Sequence, residues 1–454
     1  MVRKNKGDVF QFRLEVASLL AFPISRHWAD CFHRVCFFKW RVRITKRAQD
    51  NQFEGSFVRW SQSFRLEVKL LRKLTTRSDV TVATSIAHFA NDVPLTLFPA
   101  VLPILIKEFD LNYAEAGALI AASSLLMTSL QAITGYVADR RNRIALLFFG
   151  LTTLGVGTIL VSFSTSYIQL LTLGCLVGIG GSFFHPIGYS LLSDAFESGK
   201  RGKALGLGSA AGDIAVPVAF ATSGLLVSFL GWHNLFMLWG LVVIMVAIIL
   251  PLIIREPRVK PSRPNATGNP IGKNVKTLIP VVIVMGLVGA SYRIASSFTT
   301  TYLTDFFGVS LESANLVLAL MWVLGAIGSI VGGSLVDKFG EKNTVTVEII
   351  MLSVLSFVSF YIGNVFLLSC TICIMGFFIL AAWPSFYSVI AGATSLGARA
   401  FTYGILFAIA WSLSSFFPYL SGICADIFGL QVIFILIGVL SILAAFTAYL
   451  TFKK

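Results

Sequence analysis

From residue 80 onward, apolar runs of about 20 residues recur between short polar turns, the length an α-helix needs to cross roughly 30 Å of hydrocarbon at 1.5 Å per residue. The pattern predicts twelve membrane-spanning helices, near residues 80–106, 114–138, 144–163, 168–193, 204–230, 233–254, 278–306, 312–336, 344–362, 365–391, 401–427 and 431–451.

Composition agrees with the pattern: 56% of residues are hydrophobic, the mean hydropathy is +0.80 and 13% are charged, against about a quarter in soluble domains. Charge adds an orientation. Loops after even-numbered spans and the C-terminus hold 17 of the 19 Lys and Arg residues beyond position 78, which predicts cytoplasmic termini and a cytoplasmic central loop. Residues 1–78 differ from the rest, with 17 Lys plus Arg against 6 Asp plus Glu, a net +11 beside a net +3 for residues 79–454. This basic, aromatic-containing extension reads either as a segment on an anionic membrane surface or as one with no defined role, and no nucleic-acid partner is expected. No cleavable signal peptide is visible. Cys175, Cys370, Cys373 and Cys424 lie in or beside apolar spans as small fillers, and RHWADCFHRVC fits no common zinc spacing, so no metal or cofactor is expected.

Sliding the chain against itself by 198 residues places FFHPIGYSLLSD on AAWPSFYSVIAG, matching Pro186 with Pro384, Tyr189 with Tyr387 and Ser190 with Ser388. At the same offset Gly135 and Asp139 meet Gly333 and Asp337. The chain therefore reads as an all-α membrane protein of two pseudo-symmetric six-helix halves, 79–254 and 278–454, joined by the Pro-rich loop 255–277.

GYVADRRNR and GSLVDKFGEK, each following the second span of its half, resemble the cytoplasmic signature loop of the major facilitator superfamily. Asn142 stands where the first copy usually has Gly, a change read as tolerable because Asn visits left-handed backbone more easily than most residues. Within that superfamily, HFAND in the first span and FFHP in the fourth resemble the fosmidomycin-resistance type of efflux transporter. The resemblance implies gating roles for Gly135, Asp139, Arg140, Arg143, Asp194, Gly333, Asp337 and Lys338: a loop acid capping the start of the eleventh helix, and a loop Arg pairing with an acid at the end of the fourth. Orientation signalling alone is the alternative.

Candidate chemistry sits inside the spans. His88 and Asp92 are four residues apart and Asn91 is three from His88, so the three share a helical face about 18 Å along the first span, near the midplane. An ionisable group there costs roughly 2.5–3.5 kcal/mol on insertion scales, so an idle one is expensive. The pair can exchange a proton, or serve as a static contact that locks helix packing. Arg293 in GASYRIASSF is the only basic residue predicted deep in the bilayer; it pairs with Asp92 across the two halves or holds an anionic substrate group. Asp213 in GSAAGDIAVP, about 14 Å into the fifth span, is a second proton-carrier candidate. It stands where the antiporter signature usually has the Pro of Gly-Pro. His185 precedes Pro186 and reads as a substrate or proton contact, or as a partner for the carbonyl that the proline frees. Glu348, four residues into the ninth span, reads as structural, close enough to the end of the span to snorkel to the surface.

No phosphate loop, nucleophile elbow or metal-ligand cluster appears, so an enzyme is not expected. The resemblance implies a monomeric secondary active transporter of the cell membrane that moves a small molecule by alternating access. Proton-coupled export of a drug or metabolite is favoured, beside proton-coupled uptake of a small organic anion and, in another class, a non-transporting membrane sensor.

Overall fold

Three prolines, Pro94, Pro99 and Pro103, fall inside the first long helix, which nonetheless runs unbroken from Arg77 to Phe109. Neighbouring helices can satisfy backbone groups that prolines free in a bundle of this kind. Asn315 of the bundle also donates from its Nδ2 to the Ala100 carbonyl at 2.9 Å, although no proline frees that carbonyl.

The computed structural model describes residues 77–196, 198–254, 275–393 and 399–452. The basic extension up to residue 76, most of the central loop and the final two lysines lie outside the described residues, and so do the readings made of them. Every regular element among the described residues is a helix: α1 (Arg77–Phe109), α2 (Tyr113–Ala138), α3 (Arg143–Val161), α4 (Tyr167–Gly181), α5 (Phe184–Ala195), α6 (Ser198–Ile253), α7 (Val275–Phe307), α8 (Leu311–Phe339), α9 (Glu341–Tyr361), α10 (Val365–Ala381), α11 (Trp383–Ala393), α12 (Arg399–Ser414), α13 (Phe417–Phe428) and α14 (Val432–Thr451).

Eleven stretches are long and apolar enough to cross a membrane. Twelve were expected, and the difference lies in α6, where the expected fifth and sixth spans form one 56-residue run turned at Gly231, whose φ of 74° suits a residue without a Cβ. Three other expected spans divide: 168–193 into α4 and α5, 365–391 into α10 and α11, and 401–427 into α12 and α13. Pro186, Pro384 and Pro418 open the second member of each pair, where the missing N–H and the ring exclude the bond to the residue four back. The Ser182 carbonyl, which Pro186 leaves free, accepts from Thr134 Oγ1 at 2.9 Å, so His185 is not its partner.

Two local expectations are corrected. Asn142 is not left-handed: at φ −64° and ψ 112° it caps α3, its Oδ1 accepting from Ala145 N at 2.8 Å, while Gly340 at the equivalent position keeps φ 78°. Glu348 does not snorkel. It shares a helix face with Leu352 and Ser356, is 3% exposed, and neither carboxylate oxygen has a partner among the described residues.

One end of the bundle is closed backbone to backbone. A Cβ on Gly117 would run into the Pro418 carbonyl, and one on Gly422 into that of Tyr113, so glycine lets α2 and α13 touch. There Asp426 of α13 accepts from Tyr113 N at 2.8 Å and Ala114 N at 2.9 Å, two of the N–H groups that begin α2. Lys107 pairs with Asp305 at 3.3 Å between α1 and α7. At the other end of α2, Ile133 and Tyr136 are 59% and 61% exposed, and a Cβ on Gly404 of α12 would meet nothing within 4 Å. The bundle is thus tight at one end and parted at the other.

A charge at a helix N-terminus contributes about 1 kcal/mol, so Asp426→Ala should shift the balance about fivefold away from the closed end. The reporter is a cysteine at Ala425, 1% exposed in this form. Its maleimide labelling should speed up about fivefold when Asp426 is truncated, and an unchanged rate would remove Asp426 from the closure.

Candidate functional site

α1 delivers His88, 3% exposed, and Asn91, fully buried, to the interior of the bundle beside Asp92. His88 Nδ1 lies 2.7 Å from the Gly208 carbonyl of α6. A carbonyl only accepts, so Nδ1 carries a hydrogen and donates. That leaves Nε2 facing Asp92 Oδ2 at 3.3 Å. Two acceptors do not sit so close without a proton between them, so the pair holds one, on the imidazole or on the carboxyl. Asn91 Nδ2 donates to the other oxygen, Asp92 Oδ1, at 2.9 Å, and His185 Nε2 lies 4.0 Å from it.

The surroundings fix this arrangement. The His88 ring stacks on Phe184 at 4.5 Å between centroids, and Tyr189 stands edge-on to His88 and stacked on His185. The approach of α6 depends on Gly212: a Cβ there would run into His88 Nε2 and stand 2.9 Å from Asp92 Oδ2. Burial is one-sided. Asp92 and His185 keep 20% and 24% of their side-chain surface, and Asp213 is exposed while remaining within electrostatic reach of His88 and Asp92. Ligand-type atoms of His88, Asp92 and His185 lie within 4.8 Å of one another, a donor set that suits a divalent ion; a shared proton satisfies the same geometry without one.

Arg293 is placed differently from one of its two expected roles. It makes no ion pair with Asp92, whose oxygens already face His88, His185 and Asn91. Its Nη1 donates to Ser124 Oγ of α2 at 3.1 Å, its guanidinium carbon lies 5.1 Å from the Trp411 ring centroid, and its buried Nε has no partner. Ser124 and Trp411 carry no sequence signal of a site, since a serine and an aromatic in apolar spans read as packing; Phe184 lies in the FFHP motif, which by itself assigns it no role.

The loop residues are partly engaged. Arg143 Nη1 reaches Asp194 Oδ2 at 2.6 Å and Ser190 Oγ at 3.2 Å. At the 198-residue offset Ser388 donates to Glu341 Oε1 at 2.6 Å, the same two positions in the second copy. Gly135 and Gly333 face Pro186 and Pro384, their would-be Cβ atoms 3.3 Å and 3.8 Å away. Asp139 is exposed and caps nothing among the described residues, in keeping with the exposure of Ile133 and Tyr136 at that end of α2; farther along, α2 and α12 meet where Ser412 Oγ donates to Thr128 Oγ1 at 3.2 Å. Arg140 folds back over Tyr136, and Asp337 and Lys338 are exposed, Lys338 lying over Phe339.

The sequence profile of the Major Facilitator Superfamily matches residues 84–417 and, in a second placement, 281–454. The chain is 26% identical over 389 residues to the fosmidomycin resistance protein of Escherichia coli (strain K12), covering 83% of this chain and 94% of that protein. It is 25% identical to the MFS-type transporter YfnC of Bacillus subtilis (strain 168), covering 64% of this chain and 73% of the relative. A bacterial homologue of the human lysosomal transporter Spinster, in an inward-facing and occupied conformation, superposes with a TM-score of 0.74 at 20% identity, over 84% of this chain and 98% of that one, a likeness of fold.

Gly212→Ala should be the costly glycine change, because its methyl meets the His88–Asp92 pair. Overpacking of this kind costs about 1–3 kcal/mol. Gly392→Ala, with nothing within 4 Å of the added carbon, should stay within about 1 kcal/mol of the native chain. Thermal denaturation of the two variants compares them directly, and equal midpoints would contradict the placement of Gly212.

Proposed function

The chain belongs to the Major Facilitator Superfamily, and on that footing we propose that it is a proton-coupled exporter of a small drug or metabolite. It is a multi-pass membrane transporter and not an enzyme. The finer reading is of two six-span halves, 79–254 and 278–454, with cytoplasmic termini, rocking as a monomer about a site between them. Twelve spans follow when α6 is counted as two about Gly231.

The observation that carries the coupling is the buried His88–Asp92 pair, locked on one side by the Gly208 carbonyl and reachable on the other through His185 and Asp213. A site of this kind can load a proton from one end of the bundle and lose it to the other, which is what alternating access requires. Asp213 is the second carrier in this reading, and Asn91 and Arg293 help hold the solute. Arg143 with Asp194, and their loop neighbours, act as the latch that resets the parted end.

A second reading, proton-linked uptake of a small organic anion, uses the same groups and is favoured by the partnerless Nε of Arg293. The test uses the full chain in proteoliposomes loaded with a pH dye, native against Asp92→Asn, challenged with phosphonates, sugar phosphates, organic acids and lipophilic cations. At least one class should move protons with the native chain, and Asp92→Asn should lower that flux at least tenfold. The side of acidification separates export from uptake. Solute movement without protons in both forms would sink the coupling, and no movement of any compound would turn the reading towards a sensor.

A further inference from the structure

Arg293 is a cation without an anion of its own. Its guanidinium carries five N–H donors, and the described residues supply one neutral acceptor, Ser124 Oγ, and one ring face, that of Trp411. Nε is buried and unpartnered. Asp92 is engaged by its own neighbours and forms no hydrogen bond or ion pair with the guanidinium, although the two charges lie within electrostatic reach. A donor close by in the packing is also unmatched: the Trp322 indole N–H, which belongs to the ring that packs on Tyr292 at 4.5 Å. Trp N–H and guanidinium N–H groups only donate, so the group that would complete them is rich in acceptors and carries negative charge.

The neighbouring rings add a second requirement. Trp411 stacks on Trp383 at 5.3 Å with 5° between planes, and Tyr292 stands edge-on to Trp411 at 5.5 Å. Tyr387 stacks in the same way on Phe407, at 5.5 Å and 5°, and keeps 43% of its surface. Flat partners of this kind favour a flat guest.

We propose that the transported solute is an organic oxyanion with a flat, unsaturated body, its anionic group seated on Arg293 between α2 and α7 and its body against the Tyr292–Trp411 rings. This rests on the transporter reading given above and supplies its substrate class. A carboxylate and a phosphonate present the same chemistry to Arg293, and the experiment separates them.

The test is equilibrium binding to the purified full chain in detergent, by calorimetry, with probes that share one ring: phenylacetate, phenylphosphonate and phenyltrimethylammonium. Inorganic phosphate serves as the ringless anion. One of the two aryl anions should bind at least tenfold tighter than the aryl cation and than inorganic phosphate, and the tighter of the two identifies the head group. Arg293→Gln should weaken that binding at least tenfold. Arg293→Lys, which keeps charge and length but not the planar fork, should lose about threefold or more and guards against a Gln variant that does not fold. Trp322→Phe removes the unmatched N–H together with the five-membered part of the indole, and should raise the dissociation constant. The proposal is overturned if the aryl cation binds as tightly as the anions, or if the Lys variant and Trp322→Phe both bind like the native chain. Binding without proton-linked flux would leave this inference standing and remove the coupling; flux of a cation without anion binding would do the reverse.

Discussion

The His88 imidazole is held between two oxygens, the Gly208 carbonyl at 2.7 Å and the Asp92 carboxylate at 3.3 Å, and the packing of α1 against α6 follows from that hold. The first contact sets which ring nitrogen faces the acid. The second makes the pair share a proton, because an unpaired charge at this depth would cost several kcal/mol. Gly212 is the permission for both, since any side chain there would occupy the space between α6 and the pair. Phe184 and Tyr189 then close around the imidazole, and Pro186 opens the helix that brings them there.

The same chain answers how such a pair is reached. Asp426 on the first N–H groups of α2, the Lys107–Asp305 pair and the glycine contacts of α2 with α13 tie one end of the bundle together. Each is a small term of about 1 kcal/mol or less, and several small terms can be exchanged for others when the opposite end closes. The parted end has its partners waiting: Asp139 is exposed at the end of α2, and Arg143 already grips Asp194. In the proposed mechanism, charge pairs within one half and caps between halves divide the work of rigidity and release.

Much of this was legible in the sequence. Spans of about 20 apolar residues, the 198-residue repeat and the i, i+4 spacing of His88 and Asp92 foretold the helices and the buried pair, because membrane insertion and helical periodicity leave few alternatives. His185 is singled out by its place before Pro186 and Asp213 by its depth in the fifth span, and the structure brings both near Asp92. The helix breaks ahead of Pro186, Pro384 and Pro418 were not anticipated, although proline announces them, because prolines also sit within unbroken α1. The sequence suggests left-handed backbone at Asn142, whose side chain instead serves as a cap, and a route to the surface for Glu348, whose helix face instead turns inward. Of the two roles the sequence leaves open for Arg293, the pairing with Asp92 is not made and the side chain takes Ser124 and Trp411, since depth along a helix says nothing about rotation towards a neighbour. Asp426 carried no signal at all: its role needs the start of α2, more than 300 residues away, to arrive beside it.

In the proposed mechanism, binding of solute and the proton on His88–Asp92 are linked. The direct measurement is the proton released to, or taken from, a weakly buffered detergent solution when the full chain binds a solute at saturating concentration. The account predicts about one proton exchanged per solute bound by the native chain and none by Asp92→Asn. Solute binding with no proton exchanged by the native chain would contradict it.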